Sequence, residues 1–261
     1  MHNDGRGEHF KSELSPYSIL RPRTECSVLL VCDHASKQVP ATLSGLGLSP
    51  AQIGRHIGWD IGAAEVTRHL SRRLGVTAVL SGVSRLVIDC NRSLDDPTSI
   101  PDRSDGVMVP GNRRLTPKGR NRRAADWFHP YHEAIATQLE RLERNRGVAT
   151  VVSIHSFTPI MDGRRRPWSI GVLWDRDPRL APATIAALRQ KGHAAGDNEP
   201  YSGSGFTIDT HAVAYGRPHV TFEIRQDLIA EPSGAAAWGR HLAEILVPQL
   251  ERPELRKRKF Y

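Results

Sequence analysis

Three apolar segments of this 261-residue chain each run into a side chain that can bind a metal ion or transfer a proton. In an open α/β sheet, ligand-binding and catalytic groups collect at the carboxyl ends of the strands. The repetition of this arrangement in three segments predicts an enzyme. The segments are 28–32, followed by Asp33 and His34, then 148–154, followed by His155, and 219–222, followed by Glu223.

The predicted metal ligands are His34, Asp60 and His155. A hydrolytic zinc site takes three protein ligands from His, Asp or Glu and keeps an open position for water. Both histidines follow predicted strands, whereas Asp60 lies beside glycines in the segment 56–62, where capping a helix is its alternative role. We therefore predict Zn²⁺, with another divalent first-row metal as the alternative, because such metals compete for these ligands.

The other predicted site residues move protons or hold the substrate. Glu223 is the predicted general base, because a carboxylate must take a proton from water and pass it to the leaving amine. An ion pair with Arg225 is its alternative role. Asn91, Arg92 and Arg225 are predicted to bind substrate carboxylates, since a guanidinium fork fixes orientation as well as charge. Tyr201 and the glycine-rich loop after it are predicted to close over the pocket.

Strand and helix patterns alternate along the chain and predict the scaffold that positions these residues. We predict an α/β fold with a single domain, in which a mixed, mostly parallel sheet is covered by helices on both faces. The predicted boundaries are an N-terminal arm at 1–24, the α/β domain at 25–250 and a basic C-terminal tail at 251–261. The predicted helices are 61–74, 124–145, 177–191 and 235–249, and the further predicted strands are 76–80, 86–90 and 168–174.

The composition, with 39% hydrophobic and 25% charged residues, is that of a soluble globular protein. No apolar stretch approaches the about 20 residues that span a bilayer, and no signal-peptide pattern is present, so we predict a cytoplasmic protein without a membrane partner. The net charge of +8 is scattered without interleaved aromatics, which predicts no nucleic-acid partner. A positive field also favours an acidic small-molecule substrate. The three cysteines form no Cys-x-x-Cys pair and receive no chemical role.

Six motifs resemble the N-formylglutamate amidohydrolase family, and together they extend over about residues 28–247. The resemblance implies a phosphorylase/hydrolase-like α/β fold, as in the related zinc carboxypeptidases and aspartoacylase-type deacylases, with one zinc ion and a glutamate as general base. The Asn91–Arg92 pair is similar to the pair that helps aspartoacylases bind their substrate. The motifs are Cys32-Asp-His-Ala-Ser36, His56-Ile-Gly-Trp-Asp-Ile-Gly-Ala63, Asp89-Cys-Asn-Arg-Ser93, Ser153-Ile-His-Ser-Phe157, Gly196-Asp-Asn-Glu-Pro-Tyr201 and Thr221-Phe-Glu-Ile-Arg225.

One position departs from the carboxypeptidase pattern. That pattern has a glutamate three residues after the first histidine, where this chain has Lys37. A lysine cannot replace that ligand. The resemblance therefore assigns the second ligand to Asp60, which fits the family motif around Trp59.

The function that these motifs imply is zinc-dependent hydrolysis of an N-acyl amino acid, specifically N-formyl-L-glutamate to formate and L-glutamate. One alternative is the same machinery acting on another N-acyl amino acid or a small peptide, because a family fixes reaction type better than substrate. A second is a basic nucleic-acid-binding or scaffold protein without catalysis. A third is a metal-free hydrolase using Ser36 or Ser156, although the chain has no Gly-x-Ser-x-Gly elbow.

Overall fold

A computed structural model of the chain describes residues 14–22 and 26–261. Within these ranges, seven strands form one sheet and four short strands form two hairpins. The strands are β1 (Tyr17–Leu20), β2 (Val28–Cys32), β3 (Thr77–Ser81), β4 (Arg103–Ser104), β5 (Val107–Met108), β6 (Thr150–Phe157), β7 (Ile160–Met161), β8 (Arg164–Arg165), β9 (Ile170–Leu173), β10 (Ala195–Asp197) and β11 (His219–Arg225).

The main sheet is mixed, with the strand order β1-β3-β2-β6-β11-β9-β10. Strands β3, β2, β6 and β11 are parallel neighbours, β1 pairs antiparallel with β3, and β9 pairs antiparallel with β11. Every residue of β2 and β3 is buried, as expected for central parallel strands covered on both faces. The predicted fold class is therefore confirmed.

Helices cover both faces of this sheet because side chains along a strand alternate between them. The helices are α1 (Pro50–Ile53), α2 (Ala63–Leu74), α3 (Pro117–Arg123), α4 (His129–Arg146), α5 (Ala181–Gln190), α6 (Phe206–His211) and α7 (Pro232–Leu250). Leu30 and Cys32 pack with helices α2, α5 and α7, whereas Leu29 and Val31 pack with helix α4 on the opposite face. Each fully buried leucine contributes about 1.5–3 kcal/mol through removal of apolar surface from water.

The segment 86–90 differs from its predicted strand conformation. It is fully buried but joins no sheet, and its backbone turns at Val87, whose N–H donates to the carbonyl of Ser84. Its apolar side chains pack in a separate cluster with Trp127 and Phe128. The apolar run reflects burial, because the periodicity of so short a run does not distinguish a buried turn from a buried strand.

Described parts of the predicted arm and of the predicted tail pack against the domain. Residues 17–20 of the predicted arm form edge strand β1, while residues 1–13 lie outside the described part of the chain. In the predicted tail, Leu255 is buried and the N–H of Lys259 donates to the carbonyl of Gly216 at 2.8 Å. Within 14–22 and 26–261, no helix combines the length and apolar composition that a bilayer crossing requires.

Arg179 connects the C-terminal segment to the domain through a buried guanidinium. Its Nε donates to both carboxylate oxygens of Asp177 at 2.9 and 3.0 Å. Its terminal nitrogens donate to the backbone carbonyls of Glu254, Lys257 and Gly216. Both charged side chains are about 4–5% exposed. The ion pair and its backbone acceptors therefore hold the tail in place.

We expect Arg179→Met to lower the free energy of unfolding by about 3–5 kcal/mol, because it leaves the carboxylate of Asp177 buried without its partner. The matched control is Arg176→Met, since Arg176 is 74% exposed and lies 3.6 Å from Asp175. Such a surface pair contributes about 0–1 kcal/mol. Urea denaturation of the three proteins measures the difference, and equal midpoints for both variants would contradict this role of Arg179.

Candidate active site

Two adjacent parallel strands and one loop bring His34, Asp60 and His155 together. His34 follows β2, and His155 lies on its neighbour β6, so their ring centroids are 4.9 Å apart. Asp60 precedes α2, and its backbone N–H donates to the carbonyl of His34 at 3.0 Å. The three side chains are buried, and their potential ligand atoms lie within 4.8 Å of one another. The structure therefore assembles the three predicted ligands into one group that could hold a metal ion.

The loop of Asp60 depends on a glycine. Gly62 has φ of 81°, and a Cβ atom there would lie 2.2 Å from the carbonyl oxygen of Ile229. A larger residue would strain the backbone and clash. Gly62 itself is the N-cap of α2, so the alternative capping role of Asp60 is wrong.

Each histidine is oriented by a second carboxylate. The Nε2–H of His34 donates to Asp89 at 2.7 Å, and the Nε2–H of His155 donates to Asp33 at 3.0 Å. Nδ1 of each imidazole also faces a carboxylate, that of Asp60, and a metal ion bound to Nδ1 would leave the remaining ring proton on Nε2, where it donates to the outer carboxylate. The two Nδ1 atoms lie 3.3 and 2.9 Å from Oδ2 of Asp60. Two imidazole nitrogens and one carboxylate oxygen form a donor set that zinc sites use, and in such sites a carboxylate usually accepts from the other nitrogen of each histidine. These residues therefore fit a divalent metal.

The two outer carboxylates have partners of their own. Asp33 accepts from the hydroxyls of Tyr131 at 2.8 Å and Thr207 at 2.7 Å. Burial raises the pKa of Asp33, but its hydrogen bonds and the nearby histidines outweigh burial and lower that pKa to about 2. Asp89 accepts from the backbone N–H of Asn91 at 2.8 Å. Both carboxylates are therefore held ionised and in fixed positions behind the histidines.

Arg85 is a site residue that the sequence analysis does not identify. Its Nε and Nη2 donate to Oδ2 of Asp89 at 3.2 and 2.8 Å, and its Nη1 donates to Oδ1 of Asp60 at 3.4 Å. Burial lowers the pKa of Arg85, but Asp89 and Asp60 outweigh it and raise that pKa above the usual value. The sequence feature that indicates such a role is an arginine inside the apolar segment 83–88, because a partly buried cation requires acidic partners.

Glu223 faces the same site from β11. It is paired in register with His155 across the parallel strands β11 and β6, and it is 8% exposed. Its Oε2 has no hydrogen-bond partner among the described residues. Burial is the largest influence and raises the pKa of Glu223 to about 7. A carboxyl group with this pKa can both accept and donate a proton near neutral pH. Its alternative role, an ion pair with Arg225, does not occur among the contacts of the described residues.

A cavity of about 840 Å³ opens from this group and contains three of the predicted substrate-binding residues, Asn91, Arg92 and Tyr201. The guanidinium of Arg92 is half-exposed and lies 3.9 Å from Asp96. The hydroxyl of Tyr201 accepts from Arg166 at 3.0 Å. The side-chain oxygen of Asn91 accepts from a backbone N–H of α6 at 3.0 Å, so it holds the glycine-rich loop instead of facing the cavity freely.

Arg225 does not line this cavity. It is the last residue of β11, where its Nε donates to Asp227 at 2.8 Å and its Nη1 donates to the carbonyl of Trp168 at 3.5 Å. The prediction that Arg225 binds a substrate carboxylate therefore has no support in the geometry. The physical reason is local, since an acid two residues further on already pairs with the guanidinium.

A mixed α/β sheet that brings a buried His–Asp–His group beside a glutamate, whose Oε2 has no partner among the described residues, is the arrangement of a hydrolase with a candidate metal centre. The model of the family described as N-formylglutamate amidohydrolase matches residues 26–230. The chain therefore belongs to the N-formylglutamate amidohydrolase family and is a C–N amide hydrolase, which sets aside the nucleic-acid-binding and scaffold alternative.

Three known proteins are similar to this chain. A protein of Pseudomonas aeruginosa named N-formylglutamate deformylase is 27% identical over an alignment of 198 positions, which covers 67% of this chain and 72% of that protein. The structure of a gene product from Agrobacterium tumefaciens is 36% identical, with a TM-score of 0.86 over 90% of this chain and 95% of its own. N-formylglutamate amidohydrolase from Ralstonia eutropha shares the fold, with 23% identity and a TM-score of 0.75 over 91% and 97% of the two chains.

Proposed function

We propose that this protein is a zinc-dependent amidohydrolase that cleaves N-formyl-L-glutamate to formate and L-glutamate. The observation that carries the proposal is the buried His34–Asp60–His155 group, in which a carboxylate holds each imidazole with Nδ1 facing inward. The family assignment supports the amide substrate. The donor set supports zinc over magnesium or calcium, because those cations prefer oxygen ligands alone.

His34, Asp60 and His155 would hold the zinc ion. When bound, zinc supplies Lewis-acid polarisation of the amide carbonyl and lowers the pKa of water to about 7. Asp33 and Asp89 accept from Nε2–H of the two imidazoles, which fixes the direction of each ring and would leave Nδ1 as the nitrogen that binds zinc. These side chains position the reacting groups before substrate enters.

Glu223 would carry the protons. It takes one from the attacking water and later gives it to the nitrogen of the departing glutamate, which leaves as an amine. A pKa of about 7 suits both transfers, because the ideal catalytic pKa lies near the working pH. The absence of a partner for Oε2 among the described residues leaves that oxygen able to bind water or the leaving group.

The substrate carries two carboxylates, and the cavity offers two arginines for them. Arg92 would bind one carboxylate as predicted. Arg103 on β4 also lines the cavity and donates only to the backbone carbonyl of Gly106 among its described contacts, at 3.2 Å, so it takes the role first predicted for Arg225. Tyr201, held by Arg166, would form part of the wall over the bound substrate.

We expect protein purified without added metal to contain one equivalent of zinc and to release formate from N-formyl-L-glutamate until a chelator removes the metal. Metal analysis and a formate assay measure both, with N-acetyl-L-glutamate and N-acetyl-L-aspartate as comparison substrates. Zinc with faster turnover of an acetylated substrate would keep the mechanism and replace the substrate. Turnover that is unaffected by metal removal would exclude the mechanism.

A further inference from the structure

Arg85 contacts two of the carboxylates at the candidate metal site, Asp60 and Asp89. Its side chain is 28% exposed, while Asp60 and Asp89 are each about 5% exposed. We propose that Arg85 is a positioning residue, whose guanidinium holds the ligand Asp60 and the outer carboxylate Asp89 in the orientation that binds metal. This inference rests on the metal site of the proposed function and extends it to a residue that contacts no metal itself.

The two carboxylates divide their oxygens in the same way. Asp60 directs Oδ2 to the two imidazoles and Oδ1 to Nη1 of Arg85. Asp89 directs Oδ1 to Nε2 of His34 and Oδ2 to Nε and Nη2 of Arg85. One rigid guanidinium therefore fixes a ligand directly and a second ligand, His34, through its carboxylate. Its planar fork matches this task, whereas an ammonium group acts as a single point charge.

Two hypotheses for Arg85, one based on its charge and one on its position, predict opposite effects of its removal on metal affinity. The buried carboxylates of Asp33, Asp60 and Asp89 carry three negative charges, which one guanidinium and one divalent cation would neutralise. If Arg85 acted only through its charge, its removal would leave a more negative site that binds a cation more tightly. If Arg85 acts by position, its removal frees the carboxylates to turn and weakens metal binding.

Arg85→Lys separates the effect of charge from the effect of position, because the variant keeps the positive charge and loses the planar guanidinium fork. We expect Arg85→Lys to weaken zinc binding about 10- to 100-fold, the range for loss of an outer-shell partner. Arg85→Met should also weaken binding, despite the more negative site. Excess zinc should restore turnover to Arg85→Lys, which loss of a substrate contact would not allow.

The measurement is the zinc dissociation constant of metal-free protein, obtained by competition with a chromophoric chelator. Arg92→Lys is the matched control, since Arg92 lines the same cavity but contacts none of the three ligands. It should raise the KM for N-formyl-L-glutamate and leave the zinc affinity unchanged. Thermal unfolding of each metal-free variant reports whether the fold is retained.

Several outcomes would overturn the inference. Arg85→Lys with the zinc affinity of the parent would do so, as would tighter zinc binding by Arg85→Met. A parent protein that binds no zinc would instead remove the proposed function together with the role of Arg85. If Arg85→Met does not fold, the zinc affinity of Arg85→Lys decides between the two hypotheses. A role by charge predicts the affinity of the parent for this variant, and a role by position predicts a weaker one.

Discussion

Glu223→Gln should lower kcat for the hydrolysis of N-formyl-L-glutamate by about 10²- to 10⁴-fold, the usual contribution of a general base. The amide of glutamine has nearly the same shape but cannot accept a proton from water. Glu223 is not one of the three candidate ligands, so the variant should keep its zinc. Steady-state kinetics and metal analysis on the same preparation measure both effects.

The matched control for this prediction is Glu133→Gln, which changes an exposed glutamate on α4 outside the cavity. It should leave both kcat and zinc content at the parent values. Turnover retained in Glu223→Gln would remove Glu223 from proton transfer. Zinc lost from the same variant would show instead that this carboxylate helps to bind metal.

His155→Ala should lose zinc and, with it, turnover. The loss of affinity should exceed the about 10- to 100-fold effect of an outer-shell change, because the substitution removes a ligand atom itself. It also leaves Asp33 without the imidazole to which it is hydrogen-bonded. His34→Ala should behave in the same way, since its imidazole is held by Asp89 in the equivalent arrangement.

Thermal unfolding tests the loss of metal independently of activity. A ligand at about 100 times its dissociation constant stabilises the folded state by about 2.7 kcal/mol, so zinc should raise the Tm of the parent. It should not raise that of His155→Ala at the same concentration. His129→Ala is the control, because His129 is exposed on α4 and should respond as the parent does. One equivalent of tightly bound zinc in His155→Ala would contradict the ligand assignment.

The sequence predicts the candidate site best where function follows a local pattern. An apolar run that ends in a polar side chain indicates a buried strand and its carboxyl end. His34 is found just after β2, whereas His155 lies within β6 near its end. Glu223 lies within β11 near its end and meets them because its strand is the neighbour of β6. The motif around Asp60 supplies the third ligand, and its loop contacts His34 through a single backbone hydrogen bond.

The remaining site features depend on contacts between segments that are distant in sequence. Arg85 reaches Asp60 across 25 positions, and His155 reaches Asp33 across 122. The hydrophobic periodicity of a short segment carries no information about such pairs. The segment 86–90 has the short apolar pattern that predicts a strand, but a buried turn has the same pattern. The residue type of Arg225 predicts a substrate contact, whereas its guanidinium pairs with Asp227 two residues further on.

The register of β11 against β6 has a consequence for altering this enzyme. Glu223 and His155 are opposite each other on strands about 4.8 Å apart, so backbone hydrogen bonds in the sheet set the spacing of the proposed base and ligand. Apart from Arg85 and Asp89, which belong to the candidate metal site, the cavity walls come mostly from three connecting segments, namely residues 92–105 and the connections after β6 and β10. Chemistry and substrate choice therefore occupy separable parts of the fold. Exchange of these connections between relatives should change which acyl amino acid is accepted while the reacting groups keep their spacing.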